Sequence, residues 1–194
     1  MEPATATLIA ASIAGVISIT ALGGSIHIAR LNLRHGEAKD FAKLSLEFKL
    51  RQVNELYGPL RHLLDQNAVL AKQIRVGKSD PEKWRLMDHL PGILDDPRDG
   101  AIAKAIVEID SRIQDLITTK AGLVMGGVLP QSFTSFGSHY QLLKLAMGGM
   151  KISPTDAGYY YPRELDNEVL KGYTAISLEV HELMRKYEQR LREI

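Results

Sequence analysis

Residues 164–192 read ELDNEVLKGYTAISLEVHELMRKYEQRLR, and in them Leu165, Val169, Tyr173, Ile176, Val180, Leu183, Tyr187 and Leu191 recur at steps of three and four. That spacing places all eight on one side of a helix, with the charged residues opposite. The segment predicts a C-terminal helix over 164–192 that needs partners along nearly its whole length. Nowhere else in the chain does a run of β-branched residues alternate with polar ones between turns, so no strand is expected. The fold class is therefore all-α, an N-terminal transmembrane helix followed by a cytoplasmic helical bundle of four or five helices.

Working back from that helix, Tyr159-Tyr160-Tyr161-Pro162-Arg163-Glu164-Leu165 leads into it from an irregular stretch, 151–162. The tyrosines can pack beneath the helix start while Pro162 fixes the entry angle. They can also present a partner surface, made of Tyr159, Tyr160, Tyr161 and Arg163, since aromatic and arginine side chains carry much of the energy of interfaces. Ser132 to Met147 predicts a helix closed by Gly148-Gly149. Ile102, Ile106, Ile109, Ile113, Leu116 and Ile117 predict an amphipathic helix ending near Leu123, before Gly126-Gly127 and Pro130. Asp95-Asp96-Pro97 reads as a loop. Ser79 or Asp80 caps a short helix that carries Trp84, the only Trp, and ends near Pro91-Gly92. The first soluble segment is a long kinked helix, 36–75. Its seam is Leu46, Leu50, Val53, Tyr57, Leu60 and Leu64, with Ala71 and Ile74 resuming after Asn67. Gly58 and Pro59 mark the kink, because proline lacks the amide donor and crowds the preceding turn.

Before that comes PATATLIAASIAGVISITALGGSIHIA, Pro3 to Ala29, with no charged residue. A bilayer core of roughly 30 Å needs about 20 apolar residues in a helix. A cleaved signal peptide has a basic start and a shorter apolar centre; here the positive charges follow the run, at Arg30, Arg34, Lys39, Lys43, Lys49 and Arg51. The expectation is a short extracytoplasmic tail at 1–6, a transmembrane helix at 7–29 and a cytoplasmic helical domain at 30–194, in the cell inner membrane. Thirteen of the residues from Thr7 to Ala29 are Ala, Gly, Ser or Thr. Ala10, Ala14 and Ser18 form one ladder at four-residue spacing, Ala11 and Gly15 another. Small residues let helices approach closely in lipid, so these five are the expected oligomerisation contacts.

The chain holds 24 basic and 23 acidic residues and no Cys. There is no broad basic field for nucleic acid, which is not an expected partner, and no disulfide, thiolate or Cys-based zinc chemistry. Phosphate loops, dinucleotide glycine fingerprints, zinc-protease motifs and nucleophile elbows are absent. No metal, cofactor or catalytic residue is assigned. Arg30 with His35, and Arg85 with His89, are the pairs that bear on ribonuclease chemistry of the Arg-and-His type.

Tyr57 to Leu60 (Tyr-Gly-Pro-Leu) and Tyr161 to Leu165 (Tyr-Pro-Arg-Glu-Leu) give the chain its resemblance. It resembles uncharacterised bacterial single-pass membrane proteins with this layout, a set that looks like it includes the CRISPR-associated (type VI-B) membrane accessory proteins. The resemblance implies a HEPN-like helical cytoplasmic fold that oligomerises into a membrane pore, and it carries over no catalytic residue. The function expected is a homo-oligomeric, non-catalytic membrane effector or scaffold in phage defence. Its partners would be membrane lipid, further copies of itself and a cytoplasmic protein. Two alternatives are a membrane-tethered HEPN-like ribonuclease and a membrane-anchored protein-binding module.

Overall fold

A computed structural model describes residues 39–78, 80–81 and 83–192. The tail, the expected span and its residues Ala10, Ala11, Ala14, Gly15 and Ser18 lie outside the described residues, as does the Arg30–His35 pair. Among the described residues no helix is long and apolar enough to cross a membrane, and all regular structure is helical. The chain divides into two units, Met1–Glu47 and Phe48–Ile194. In the first, residues 39–47 are helical, with Lys43 and Glu47 paired at 3.9 Å. Both side chains are exposed, so the pair contributes little.

The second unit is a bundle of five α-helices: α1 (Gly58–Arg75), α2 (Leu86–Asp95), α3 (Pro97–Thr119), α4 (Gln131–Met147) and α5 (Glu164–Arg192). Helix α1 lies along α3. Helix α4 packs on α3 and α5, α2 lies against α3 and α4, and α5 returns against α1 and the turn that precedes it. Leu56, Leu60, Ile113, Phe133, Phe136, Leu165, Val169 and Ile176 are all but inaccessible to solvent. Each such side chain contributes about 1.5–3 kcal/mol on burial. At the far end Ile74, Leu90, Ile93, Ala103, Ile106 and Leu143 form one apolar cluster.

The helix carrying Gly58-Pro59 accommodates the proline without a break. Gln52–Tyr57 forms a π-helical turn, the wide i→i+5 form seen as single-turn bulges within helices. The Gly58 N–H reaches back to the Val53 carbonyl, and α1 follows at once with helical dihedrals at Tyr57. The wider turn takes up an extra residue and moves the seam by one position. Gln52, Leu56, Tyr57 and Leu60 face inward, while Leu50 and Val53 are only half-buried. The Gln52 amide is satisfied at depth by the Leu123 carbonyl, 2.9 Å away. Lys120 at the end of α3 donates to Glu55 at 2.8 Å, which together with Arg51 holds that carboxyl below its ordinary pKa. Lys49 pairs with Glu179 of α5.

Two further boundaries depart from the pattern expected of the sequence. Trp84 lies before α2, which begins at Leu86 and runs through Pro91-Gly92 to Asp95. The Asp-Asp-Pro loop contracts to one residue: Asp96 ends α2 and caps α3, its Oδ1 accepting from the Asp99 N–H at 2.8 Å, with Pro97 in the first turn.

Candidate functional site

Two places in the second unit concentrate polar side chains from distant parts of the sequence, and both are organised by tyrosines. The first is closed. Tyr57, at the end of the π-turn, is 3 % exposed, and its hydroxyl accepts the Met125 N–H at 3.0 Å. Its ring lies over Gly172 of α5, where a Cβ would come within 2.3 Å of the ring carbons. Gly172 is thus required by proximity: any side chain there would have to displace a buried aromatic ring. The Gly58-Pro59 pair marked by the sequence sits beside this joint, its proline absorbed by the π-turn.

The second is open. A cleft of about 930 Å³ lies between α1, α3, α4, the residues ahead of α2, the 159–163 loop and the start of α5. Buried in it are Asn67 of α1 and Asp110 of α3, with the Asn67 amide donating to Asp110 Oδ1 at 2.6 Å. Asp110 is 1 % exposed. Burial penalises its charged form and pushes its pKa up to about 7, against a pull downward from the Asn67 hydrogen bond.

The tyrosine loop forms one wall, and its three rings have separate placements. The Tyr159 hydroxyl donates to Asp88 and ties the loop to α2; burial, then the hydrogen bond to that carboxylate, raises the pKa of the phenol. Tyr161 points inward, edge-on to Phe136 and His139 with ring centres 6.1 and 5.6 Å apart. Its hydroxyl donates to Asp166 at 3.2 Å. Burial raises the pKa of Tyr161 and that of Asp166 as well. Tyr160 alone of the three is exposed, at 57 %. Pro162 is buried, and its carbonyl accepts the Leu165 N–H at 2.9 Å, starting α5. Arg163 is exposed and lines the cleft.

His139 fixes the other end of the loop. Its Nδ1 lies 2.9 Å from the Gly158 carbonyl; a carbonyl only accepts, so Nδ1 carries the proton. Burial lowers the pKa of the imidazole, against the pull of the Gly158 and Tyr159 backbone. Gly158 adopts φ +91°, and a Cβ there would meet Ser138 of α4 at 2.9 Å. Only glycine has both the backbone freedom and the clearance.

Arg75, Arg85 and Arg163 line the cleft, against the carboxyls of Asp110 and Asp166. Arg85 precedes α2 in an extended conformation, and the His89 ring stacks on Trp84, 5.4 Å between centres. The two residues therefore do not share a helix face. Among the described residues no group of His, Asp and Glu has the arrangement of a metal site.

The residues read from the sequence as a partner surface, Tyr159, Tyr160, Tyr161 and Arg163, line one wall of the cleft. Asn67 and Asp110, at its floor, were not identified as site residues from the sequence. Their signal is an interruption: Asp110 stands within the buried stripe Ala103, Ile106, Ile113, Ile117 of α3, and Asn67 within that of α1. No protein-family model, curated protein or solved structure matches the chain.

Proposed function

We propose that this chain is a single-pass membrane protein that assembles with copies of itself and binds a cytoplasmic partner in the cleft of its helical domain, acting as a non-catalytic effector or scaffold. The cleft is the observation that carries the reading. It is of the size of a small-molecule or anchor-residue site. Its titratable groups are engaged in holding its walls: Asp110 with Asn67, His139 with the Gly158 carbonyl, Tyr161 with Asp166. Groups so engaged favour recognition over turnover. The uncharged stretch Pro3 to Ala29 supports tethering, and its small-residue ladders support self-association.

The test is fractionation of cells expressing the full chain, followed by mass determination in detergent. The protein should pellet with membranes, be released by detergent and run as a multiple of 21.5 kDa. Gly15→Leu should lower that mass. Full-length protein in the supernatant, or a monomer in detergent that Gly15→Leu leaves unchanged, would overturn the proposal.

A further inference from the structure

The geometry points to a nucleoside phosphate as the occupant of the cleft, an inference that rests on reading the cleft as a binding site. Four features converge on that chemistry. The volume, about 930 Å³, suits a small ligand of mononucleotide size, since such sites span about 300–1,000 Å³. Arg75 and Arg163 line it, and guanidinium groups match the geometry of phosphate oxygens. Tyr160, exposed, lines it too, and an aromatic face stacks on bases of any identity. At the floor, Asn67 and Asp110 lie side by side. An amide next to a carboxyl offers donors and acceptors to the edge of a planar base, the groups that tell bases apart. One oxygen of Asp110 accepts from Asn67; the carboxyl, 1 % exposed, lines the cleft.

Charge favours the same occupant. Arg75 and Arg163 share the lining with Asp110 and Asp166, and Asp110 is only partly ionised near neutrality because burial raises its pKa to about 7. The floor therefore repels a phosphate less than an exposed aspartate would. The base would enter toward Asn67 and Asp110, with its phosphates toward Arg163.

Trp84 is the only tryptophan of the chain, so its fluorescence reports on the cleft in the full-length protein in detergent. ATP, GTP, CTP and UTP are titrated separately, with inorganic phosphate, ribose 5-phosphate and phosphatidylglycerol vesicles as part-ligands. The expected result is a saturable change with at least one nucleotide, at least tenfold tighter than with phosphate or ribose 5-phosphate. Arg163→Ala, an exposed change, should weaken it by about tenfold. Asp110→Asn should alter the preference among the four bases. No saturable response from protein that still unfolds cooperatively would overturn the inference, as would equal affinity for inorganic phosphate. Displacement of bound nucleotide by the vesicles would assign the arginines to lipid headgroups and overturn it too. None of these failures touches membrane fractionation or oligomer mass, where failure of the parent proposal would show.

Discussion

The Tyr57 joint, where the π-turn meets α5, and the Asn67–Asp110 cleft, where α1 meets α3, treat buried polarity in opposite ways. At the joint, one phenol receives one N–H and the rest of the space is filled until Gly172 has no room for a methyl group. In the cleft, a carboxyl is held away from water by a single amide, in front of about 930 Å³ of open volume. An arrangement that only stabilised the bundle would resemble the first. The second keeps a polar group at a cost to stability.

The largest expected effect separates the two by pH. Asp110 has a folded pKa of about 7 against an ordinary 3.8. Between those values the unfolded chain releases its proton and the native one keeps it. Stability conferred by the protonated carboxyl is therefore intact below pH 3.8 and declines as pH rises, levelling off above 7. The full loss is roughly 4 kcal/mol at about 1.36 kcal/mol per unit. His139, its pKa lowered by burial from 6.5, works in the opposite sense as pH falls below that value. The informative quantity is thus the difference between wild type and Asp110→Asn in urea unfolding across pH 4–8. Wild type should lose ground to the variant from pH 4 to about 7 and hold level above it, and parallel curves over pH 4–7 would erase the contrast.

Gly172→Ala tests the closed side. With a Cβ 2.3 Å from the Tyr57 ring, overpacking should cost about 3 kcal/mol. Pairing it with Tyr57→Leu should recover part of that loss, because the two residues share one space. Tyr57→Phe keeps the ring but leaves the Met125 N–H without its acceptor, for about 1–2 kcal/mol. It should not move nucleotide affinity, whereas Arg163→Ala should do the reverse. Asp96→Ala, outside both regions, removes the cap of α3 and should cost about 1 kcal/mol, a baseline for an ordinary local loss read from thermal unfolding.

The helical character of the domain was legible because period-three-and-four seams are strong in 97–119 and 164–192. The cleft was not, for a specific reason. Periodicity is scored on apolar residues, so Ile102, Ile106, Ile109 and Ile113 define a helix while Asp110 reads as part of its polar face. Three-dimensional packing instead centres the buried stripe on Ala103, Ile106, Asp110, Ile113 and Ile117. The seam through 46–64 holds at Tyr57, Leu60 and Leu64 and slips by one residue upstream of them, for a related reason: the π-turn forms ahead of Pro59, and an apolar pattern carries no mark of a widened turn. Trp84 and Arg85 were assigned to a helix because a plausible cap precedes them, whereas Arg85 is extended and α2 starts one residue later. The Tyr159–Arg163 segment was legible as something more than a linker, since three adjacent rings and an arginine before a helix are conspicuous. Its division into an anchor to Asp88, an inward ring and a surface ring depends on residues 70 or more positions away as well as near ones.

The π-turn also sets an azimuth. In an ordinary helix each residue advances the direction of its side chain by about 100°. Forcing Gln52–Tyr57 into normal pitch with every residue kept would swing residues 48–51 around the helix axis by about that angle, carrying Lys49 away from Glu179 and Gln52 off the Leu123 carbonyl. The widened turn therefore fixes the compass bearing of residues 48–51 against α5.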